Sequence, residues 1–483
     1  MRRFALGLLT TSLVAACTVG PNYQRPQVSV PETFSKATAP GPSDAELASW
    51  WSAFGDAELD ALVQRALAQN LDLEAAAALI REARARETVA GAAGLPQVDA
   101  QGSVTHQRIS ENAIPIPPGA GGQQGGAFGL PGSEFTTWRA GFDASWEIDL
   151  FGKTRRSVEA ARARTEVAIW DRRDLQVTAA AEVANAYLTL RTLQARIANA
   201  QADVASEQRL QQLVAARVRG GLVSGQDLAQ QSSAASAAAA AIPALQAQAE
   251  AQIHAIAVLT GQAPEALDAE LAQAKALPSP PSVPAGVPSE LLRRRPDIRA
   301  AERQLAASTA DIGVAVADLY PRFSLTAAPA LVSTALSSLL EWGSRSFSLG
   351  AAVDWPLLSG GRTRGEIAVA NARQEQALVA YRKSVLTALQ DVEDALSRVD
   401  GDRGQLDNLK RAVADAARAE DIAGTRYRGG LVTYSDVLLA RGKRLTLEEQ
   451  MIDAQGALAR DTASLFKALG GGWPELAQQG AQP

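Results

Sequence analysis

What this chain of 483 residues lacks narrows its function before any motif is read. It has one cysteine, Cys17, so no disulfide can form within it, and two histidines far apart, His106 and His254, so no Cys/His metal cluster or Cys-His nucleophile can be assembled. Aromatics make up 5% and the net charge is -5, which leaves no basic, aromatic-studded surface for nucleic acid. No Walker pattern occurs among the glycines, and Asp and Glu are scattered along helix-forming stretches as a solvated face would be. No run of about 18 apolar residues occurs, so no transmembrane helix holds the mature chain. An enzyme is therefore the weakest of the function classes, and no cofactor is expected beyond a covalent lipid.

What is present is alanine, within a 47% apolar composition that otherwise favours Leu, Gln, Arg and Glu. That mixture suits long helices packed closely through small side chains. The first 16 residues form an export signal: Arg2 and Arg3, an apolar stretch from Phe4 to Leu13, then small residues up to Cys17. Cleavage before Cys17 leaves a lipoprotein-type amino terminus, and several acyl chains on it make a stable anchor where one is marginal. Thr18 follows, not the Asp that favours inner-membrane retention in enteric bacteria, which suits the outer membrane.

The mature chain is written twice. Trp146–Gly152 aligns with Trp355–Gly361, and Arg219-Gly-Gly-Leu-Val-Ser224 with Arg428-Gly-Gly-Leu-Val-Thr433, both at an offset of 209 residues. Upstream, Asp72-Leu-Glu-Ala-Ala76 aligns with Asp297-Ile-Arg-Ala-Ala301 at an offset of 225. The first copy thus carries about 16 extra residues, placed in the Gly/Pro-rich stretch Ala113–Gly132 as a loop tip.

Each copy reads as helix, strand, loop, strand, long helix, turn, helix. Expected boundaries are a lipidated N-terminal segment over 17–70 and a first repeat over 71–262, with strands near 97–109 and 135–150 and helices 153–219 and 225–260. A Pro-rich connector follows over 263–296, stiff and extended at Pro278–Pro284 and Pro288. The second repeat covers 297–470, with strands near 322–330 and 346–357 and helices 362–428 and 434–469, and a loose tail occupies 471–483. Strand alternation is clearest at Trp138, Ala140, Phe142, Ala144, Trp146 and Ile148, apolar against polar with period two. The two long helices span 67 residues each without proline, roughly 100 Å at 1.5 Å per residue. Leu378, Tyr381, Val385, Leu389, Val392, Leu396 and Val399 give the second one a coiled-coil seam. Pro243 is expected to kink or break the last helix of the first copy.

Four amphipathic strands in a lipid-anchored chain cannot form a stable open sheet in hydrocarbon, so they must close with other copies; physics does not by itself choose two, three or four. Several residues carry a resemblance here: Cys17-Thr-Val-Gly-Pro-Asn-Tyr-Gln-Arg-Pro26, Trp50-Trp51 with Phe54, Asp56 and Leu59, Asn70–Leu73, Trp146–Gly152, Arg295–Ile298, Tyr320-Pro321 and the paired Gly-Leu-Val turns. Through them the sequence resembles outer-membrane factors of the TolC family, in the lipoprotein branch typified by OprM and NodT. The resemblance implies a homotrimer, with a 12-stranded β-barrel in the outer membrane and a 12-helix barrel in the periplasm. It further implies an efflux duct, probing no chemistry of its own, that works with a periplasmic adaptor and an inner-membrane pump.

By the same resemblance both Gly-Leu-Val turns, Gly220-Gly221-Leu222-Val223-Ser224 and Gly429-Gly430-Leu431-Val432-Thr433, lie at the periplasmic tip and meet the adaptor. Asp436 matches an aspartate ringing the closed aperture, and Tyr427 and Asp227 match partners in a latch; Val432 stands where TolC has an arginine. On residues alone, Ser224–Asp227 and Thr433–Asp436 fit capping boxes. A duct for type I protein secretion, or a lipid-anchored periplasmic adaptor or scaffold without a pore, are the alternative functions. The alternating strands count against the scaffold. The cargo is not written in the sequence, although two methionines and two histidines count against a dedicated copper or silver duct.

Overall fold

A computed structural model describes residues 18–35, 42–110, 134–283, 286 and 288–473. The signal segment, Cys17, the Gly/Pro-rich insertion and the end of the tail lie outside the described residues. The chain divides into two compact units, and the division does not follow the repeats. One unit combines 1–25, 82–165 and 304–378, and the other 26–81, 166–303 and 379–483. The physical reason is that each repeat gives its strands to one common sheet and its helices to one common bundle.

The helices in chain order are α1 (Asp44–Ala48), α2 (Ala57–Gln69), α3 (Leu71–Ala92), α4 (Lys153–Arg219), α5 (Gly225–Leu259), α6 (Asp268–Leu271), α7 (Pro288–Arg294), α8 (Pro296–Ala317), α9 (Arg362–Arg428) and α10 (Tyr434–Ala468). The repeat shows in their lengths: α3 and α8 have 22 residues each, α4 and α9 have 67, and α5 and α10 have 35. Among the described residues, no helix is long and apolar enough to cross a membrane.

The strands are β1 (Gln97–Arg108), β2 (Glu134–Ile148), β3 (Arg322–Ala327), β4 (Ala330–Ser333), β5 (Arg345–Ser346) and β6 (Leu349–Asp354), all paired antiparallel. The second copy's expected strands, 322–330 and 346–357, are thus each interrupted, and the first of them reaches further, to Ser333. Pro329 has no amide hydrogen to give the ladder, which accounts for the break. Pairing nonetheless continues across it: the Phe142 amide donates to the Pro329 carbonyl at 2.9 Å, and the Ala328 amide to the Ser348 carbonyl at 2.9 Å. Register is the same on both sides, Ala144 facing Ala327 and Gly141 facing Ala330. The sheet therefore has four strand lines, in the order β1, β2, β3 with β4, β6 with β5.

One face of this sheet carries Val98, Ala100 and Val104, then Trp138, Phe142 and Trp146, then Phe323 and Leu325, then Phe347, Leu349 and Val353. The other carries Asp99 opposite Asp143, Arg139, Glu147, Ser324 and Thr326. Trp146 and Trp355 close the strand ends in the same way in both copies, each indole N–H donating to a backbone carbonyl, of Gly94 at 2.9 Å and Leu319 at 3.0 Å. These two acceptors are themselves repeat equivalents.

The helical unit has its own core. The seam of α9 buries Tyr381, Val385, Val392, Leu396 and Val399 as the periodicity predicts, and also Ala388 and Ala395. On α4, Val183, Tyr187 and Leu190 are buried beside Ala180 and Ala184. Trp50 stacks on Phe466 with centroids 5.2 Å apart, and Trp473 is fully buried against Trp170. The motif residues turn out to be fasteners of this unit. Asp56 caps α2 by accepting the Glu58 and Leu59 amides, and Asn70 accepts the Asp72 and Leu73 amides while donating to the Leu259 carbonyl. Arg295 pairs with Asp297 and Asp391 and donates to the Ala468 carbonyl.

Two proline expectations need correction. Helix α5 runs through Pro243 without a break, because the absent amide and the ring cost less than ending a helix packed along its length. The connector is partly helical: Pro264–Leu267 forms a 3-10 turn, α6 follows, and Pro288 starts α7, where the missing amide would have had no partner anyway.

Arg191 is fully buried, and its guanidinium pairs with Glu58, donates to Gln194 Oε1 at 2.6 Å and the Gln273 carbonyl at 2.9 Å, and lies 4.7 Å over the Tyr187 ring. Arg191→Ala leaves the nearly buried Glu58 carboxylate with the half-exposed Lys275 as its one charged partner and the Tyr187 hydroxyl as a neutral donor. The expected cost is about 3–5 kcal/mol, read as a lower denaturant midpoint by circular dichroism. A midpoint within error of wild type would show the pair to be energetically idle.

Candidate functional site

The two helix turns are built by the same chemistry. Where α4 ends, the Leu222 amide donates back to the Arg217 carbonyl and the Gly221 amide to the Val218 carbonyl; where α9 ends, Leu431 reaches Arg426 and Gly430 reaches Tyr427. Both are Schellman motifs, and they require the left-handed backbone that Gly221 and Gly430 each adopt at φ 69°. Gly220 and Gly429 close the helices in front of them. Leu222 and Leu431, the residues just past the turns, are 76% and 73% exposed, and Val223 and Val432 are half-buried.

The next helices start from capping boxes, as the spacing predicts. The Asp227 carboxylate accepts from the Ser224 amide and hydroxyl, both at 3.1 Å, and the Ser224 Oγ accepts the Asp227 amide. The Asp436 carboxylate accepts from the Thr433 hydroxyl at 2.7 Å and the Thr433 amide at 2.8 Å. Those bonds from Thr433, with a smaller contribution from the Arg426 charge, hold the Asp436 carboxyl below the usual carboxylate range.

Tyr427 and Asp227 are not joined within the protomer. The Tyr427 hydroxyl instead accepts from Arg217 Nη1 at 3.2 Å, with the guanidinium 5.4 Å over its ring, and Asp227 is committed to the Ser224 cap. The cation beside Tyr427 thus comes from α4, three residues before the turn, and not from position 432.

Sequence reasoning missed the densest polar cluster near these turns. Tyr434, the first residue of α10, packs on Tyr427 with centroids 5.3 Å apart and donates from its hydroxyl to Gln231 Oε1 of α5 at 2.6 Å. Gln231 Nε2 donates to the Glu207 carbonyl of α4 at 2.9 Å and to its carboxylate. Arg441 of α10 completes the network with ion pairs to Glu207 at 2.9 Å and Asp203 at 3.0 Å. Glu207, Gln231, Tyr434 and Arg441 are all buried. Three helices are tied together by groups that have no water to replace a lost partner. Burial, and next the Glu207 charge, push the Tyr434 phenol up to about 12. No local sequence signal marked this cluster, since its members are separated by up to 238 positions.

These turns and this cluster contain no metal-binding group of carboxylates and histidines among the described residues. Comparisons with known proteins agree on what the whole chain resembles. It matches the outer membrane efflux protein family over residues 62–262 and 287–471. It is 34% identical over 436 residues to the pyoverdine export outer membrane protein OpmQ of Pseudomonas aeruginosa, covering 90% of each chain. It is 29% identical to nodulation protein T of Rhizobium leguminosarum bv. viciae, over 95% of this chain and 92% of that one. Among solved structures, the outer-membrane channel OprN superposes with a TM-score of 0.84 at 35% identity, covering 95% of this chain and all of that one.

Tyr434→Phe leaves the buried Gln231 carbonyl without its donor, which should cost about 1–3 kcal/mol. Amides of the α5 first turns should then exchange with deuterium roughly 5- to 150-fold faster, a change that unaltered exchange rates would refute. The raised folded-state value means the tyrosine's contribution is intact below about pH 10 and is lost as pH climbs through about 12.

Proposed function

The chain belongs to the outer membrane efflux protein family, and from that premise we propose that three copies form a passive export duct through the outer membrane and periplasm, gated at the two helix turns. The observation that carries the reading is the four-line amphipathic sheet with β1 at one open edge and β5 with β6 at the other. Each unpaired amide or carbonyl at such an edge costs several kcal/mol in hydrocarbon, so identical neighbours must supply the missing pairs. Three copies give twelve strands, within the range of closed membrane barrels. The apolar face then meets lipid and the face with Asp99, Asp143, Arg139 and Glu147 lines the lumen.

In this reading Cys17 carries the lipid anchor and residues 1–16 are removed as the signal. A periplasmic adaptor docks on Gly220–Ser224 and Gly429–Thr433, whose leucines offer apolar contacts that nothing in the protomer covers. Through the adaptor the duct serves an inner-membrane pump of a tripartite system. No catalytic role is assigned, and the pump, not the duct, selects the cargo.

The constriction at rest is charged. Three Asp436 carboxylates brought to one axis repel each other and draw cations, opposing the Thr433 bonds that keep each ionised in the isolated protomer. Opening is a population shift favoured by the adaptor or pump. Single-channel conductance in planar bilayers tests this: Asp436→Ala, and Tyr427→Phe combined with Asp227→Ala, should each raise conductance several-fold over wild type. Wild-type conductance in both would remove the gating assignment, and a water-soluble monomer would remove the duct.

A further inference from the structure

The motif that follows Cys17 has no part in the duct or its gate, yet it is among the most tightly held segments of the molecule. Arg156, in the first turn of α4, is only 3% exposed. Its Nε donates to the Val19 carbonyl at 3.1 Å, its Nη2 to the Gly20 carbonyl at 3.2 Å and to Asn22 Oδ1 at 2.7 Å, and its Nη1 pairs with Glu159 at 2.8 Å. The Val19 amide donates to the Phe151 carbonyl at 3.1 Å. One buried guanidinium thus grips three successive points of an extended segment.

The seat is also shaped by the absence of side chains. Gly20 has φ 86°, and a Cβ on it would come within 2.4 Å of the Gly313 Cα. A Cβ on Gly313 would meet the Arg156 stem at 2.7 Å, and one on Gly152, at φ 85°, would meet Thr18 at 2.7 Å. Tyr23 then packs on the alanine cluster of Ala163, Ala306 and Ala307. Both repeats contribute, Gly152 and Arg156 from the first and Gly313 from the second.

We propose that this groove is a receptor for the segment Thr18–Asn22, and that its task is to fix where the acylated Cys17 enters the membrane. Thr18 abuts Gly152, in the short link between β2 and α4, so the anchor emerges beside that link, within four residues of the end of the strand that carries Trp146. A free segment of six residues would let the acyl chains wander about 13 Å from their tether. A gripped one inserts them in the leaflet beside the aromatic rim of the barrel, so lipid and sheet edge enter the bilayer at one level. The proposal rests on the reading of Cys17 as acylated, and the test separates the two.

The assay uses the full-length lipoprotein, labelled in cells with radioactive palmitate and purified as the folded trimer. Chymotrypsin can cut after Tyr23, and wild type should keep its label on the trimer band. Arg156→Ala should release the label in a small peptide at least 10-fold faster, with the trimer band persisting. Arg156→Lys, whose single ammonium cannot span three acceptors, should fall between. If Arg156→Ala does not accumulate, Asn22→Ala, which removes one acceptor and leaves the arginine, should release label several-fold faster. Equal release from wild type and variants overturns the receptor. A wild-type trimer that takes up no palmitate overturns the proposal through its premise, a failure that the label itself identifies.

Discussion

The structure depends on one constraint: a sheet placed in hydrocarbon can leave no edge unpaired. A protomer with four strand lines cannot satisfy it alone, and every larger feature can be derived from that insufficiency. Because neighbours must complete the wall, β1 and β6 must present clean edges, and the register must be uniform across the sheet. It is uniform even through Pro329, where the ladder loses a donor but keeps its count. Because each protomer supplies its strands from two copies, the segments that follow must also match. The 67-residue helices α4 and α9 and the 35-residue helices α5 and α10 place both turns at the same residue distance from Trp146 and Trp355. An insertion of one residue in either long helix would rotate its whole downstream face by about 100°.

Within the helical unit, close packing and polar fastening divide the labour. Alanines at Ala180, Ala184, Ala388 and Ala395 let backbones approach, but small side chains interlock poorly and leave helices free to slide. Buried charges supply the missing register. The Arg191 group fastens α4 to the N-terminal helices, and the Arg441 group fastens α4 and α5 to α10. Such pairs add little net stability over an apolar core, because desolvation offsets attraction, yet they penalise every arrangement in which one partner is left alone. In a wall built of long, small-residue helices, definite positions matter more than a large free-energy surplus.

What could be read from the sequence was whatever the duplication stated twice. Helix ends appeared within a residue of their observed places because Gly221 and Gly430 mark them at equal offsets, and period-two alternation located β1 and β2. Local expectation failed where tertiary context decides. Pro243 sits inside a helix, Pro288 begins one, and Pro329 interrupts a strand that neighbours still hold in register. The seam was read from large residues, so Leu389 was chosen where the more buried neighbour is Ala388. The Tyr434 network was invisible because its partners meet only after the chain has turned back on itself.

The two copies differ where the network lies, and the difference is informative. At the offset of 209, the counterpart of Tyr434 is Gly225, of Gln231 is Ala440, of Arg441 is Ser232 and of Glu207 is Ala416. Each polar member therefore corresponds to a small residue that cannot replace it in the other copy, Ser232 bonding Gln211 instead, so the network is made once per protomer, between the repeats. Had both copies kept it, the two turns would be held alike. As built, α10 is tied to the first hairpin at its very start while α5 begins with nothing larger than Gly225. The turns share their backbone geometry to the degree, but they are held by different forces. Duplication supplied identical bends, and divergence of the side chains around them left the start of α10 tied by a buried network that the start of α5 lacks.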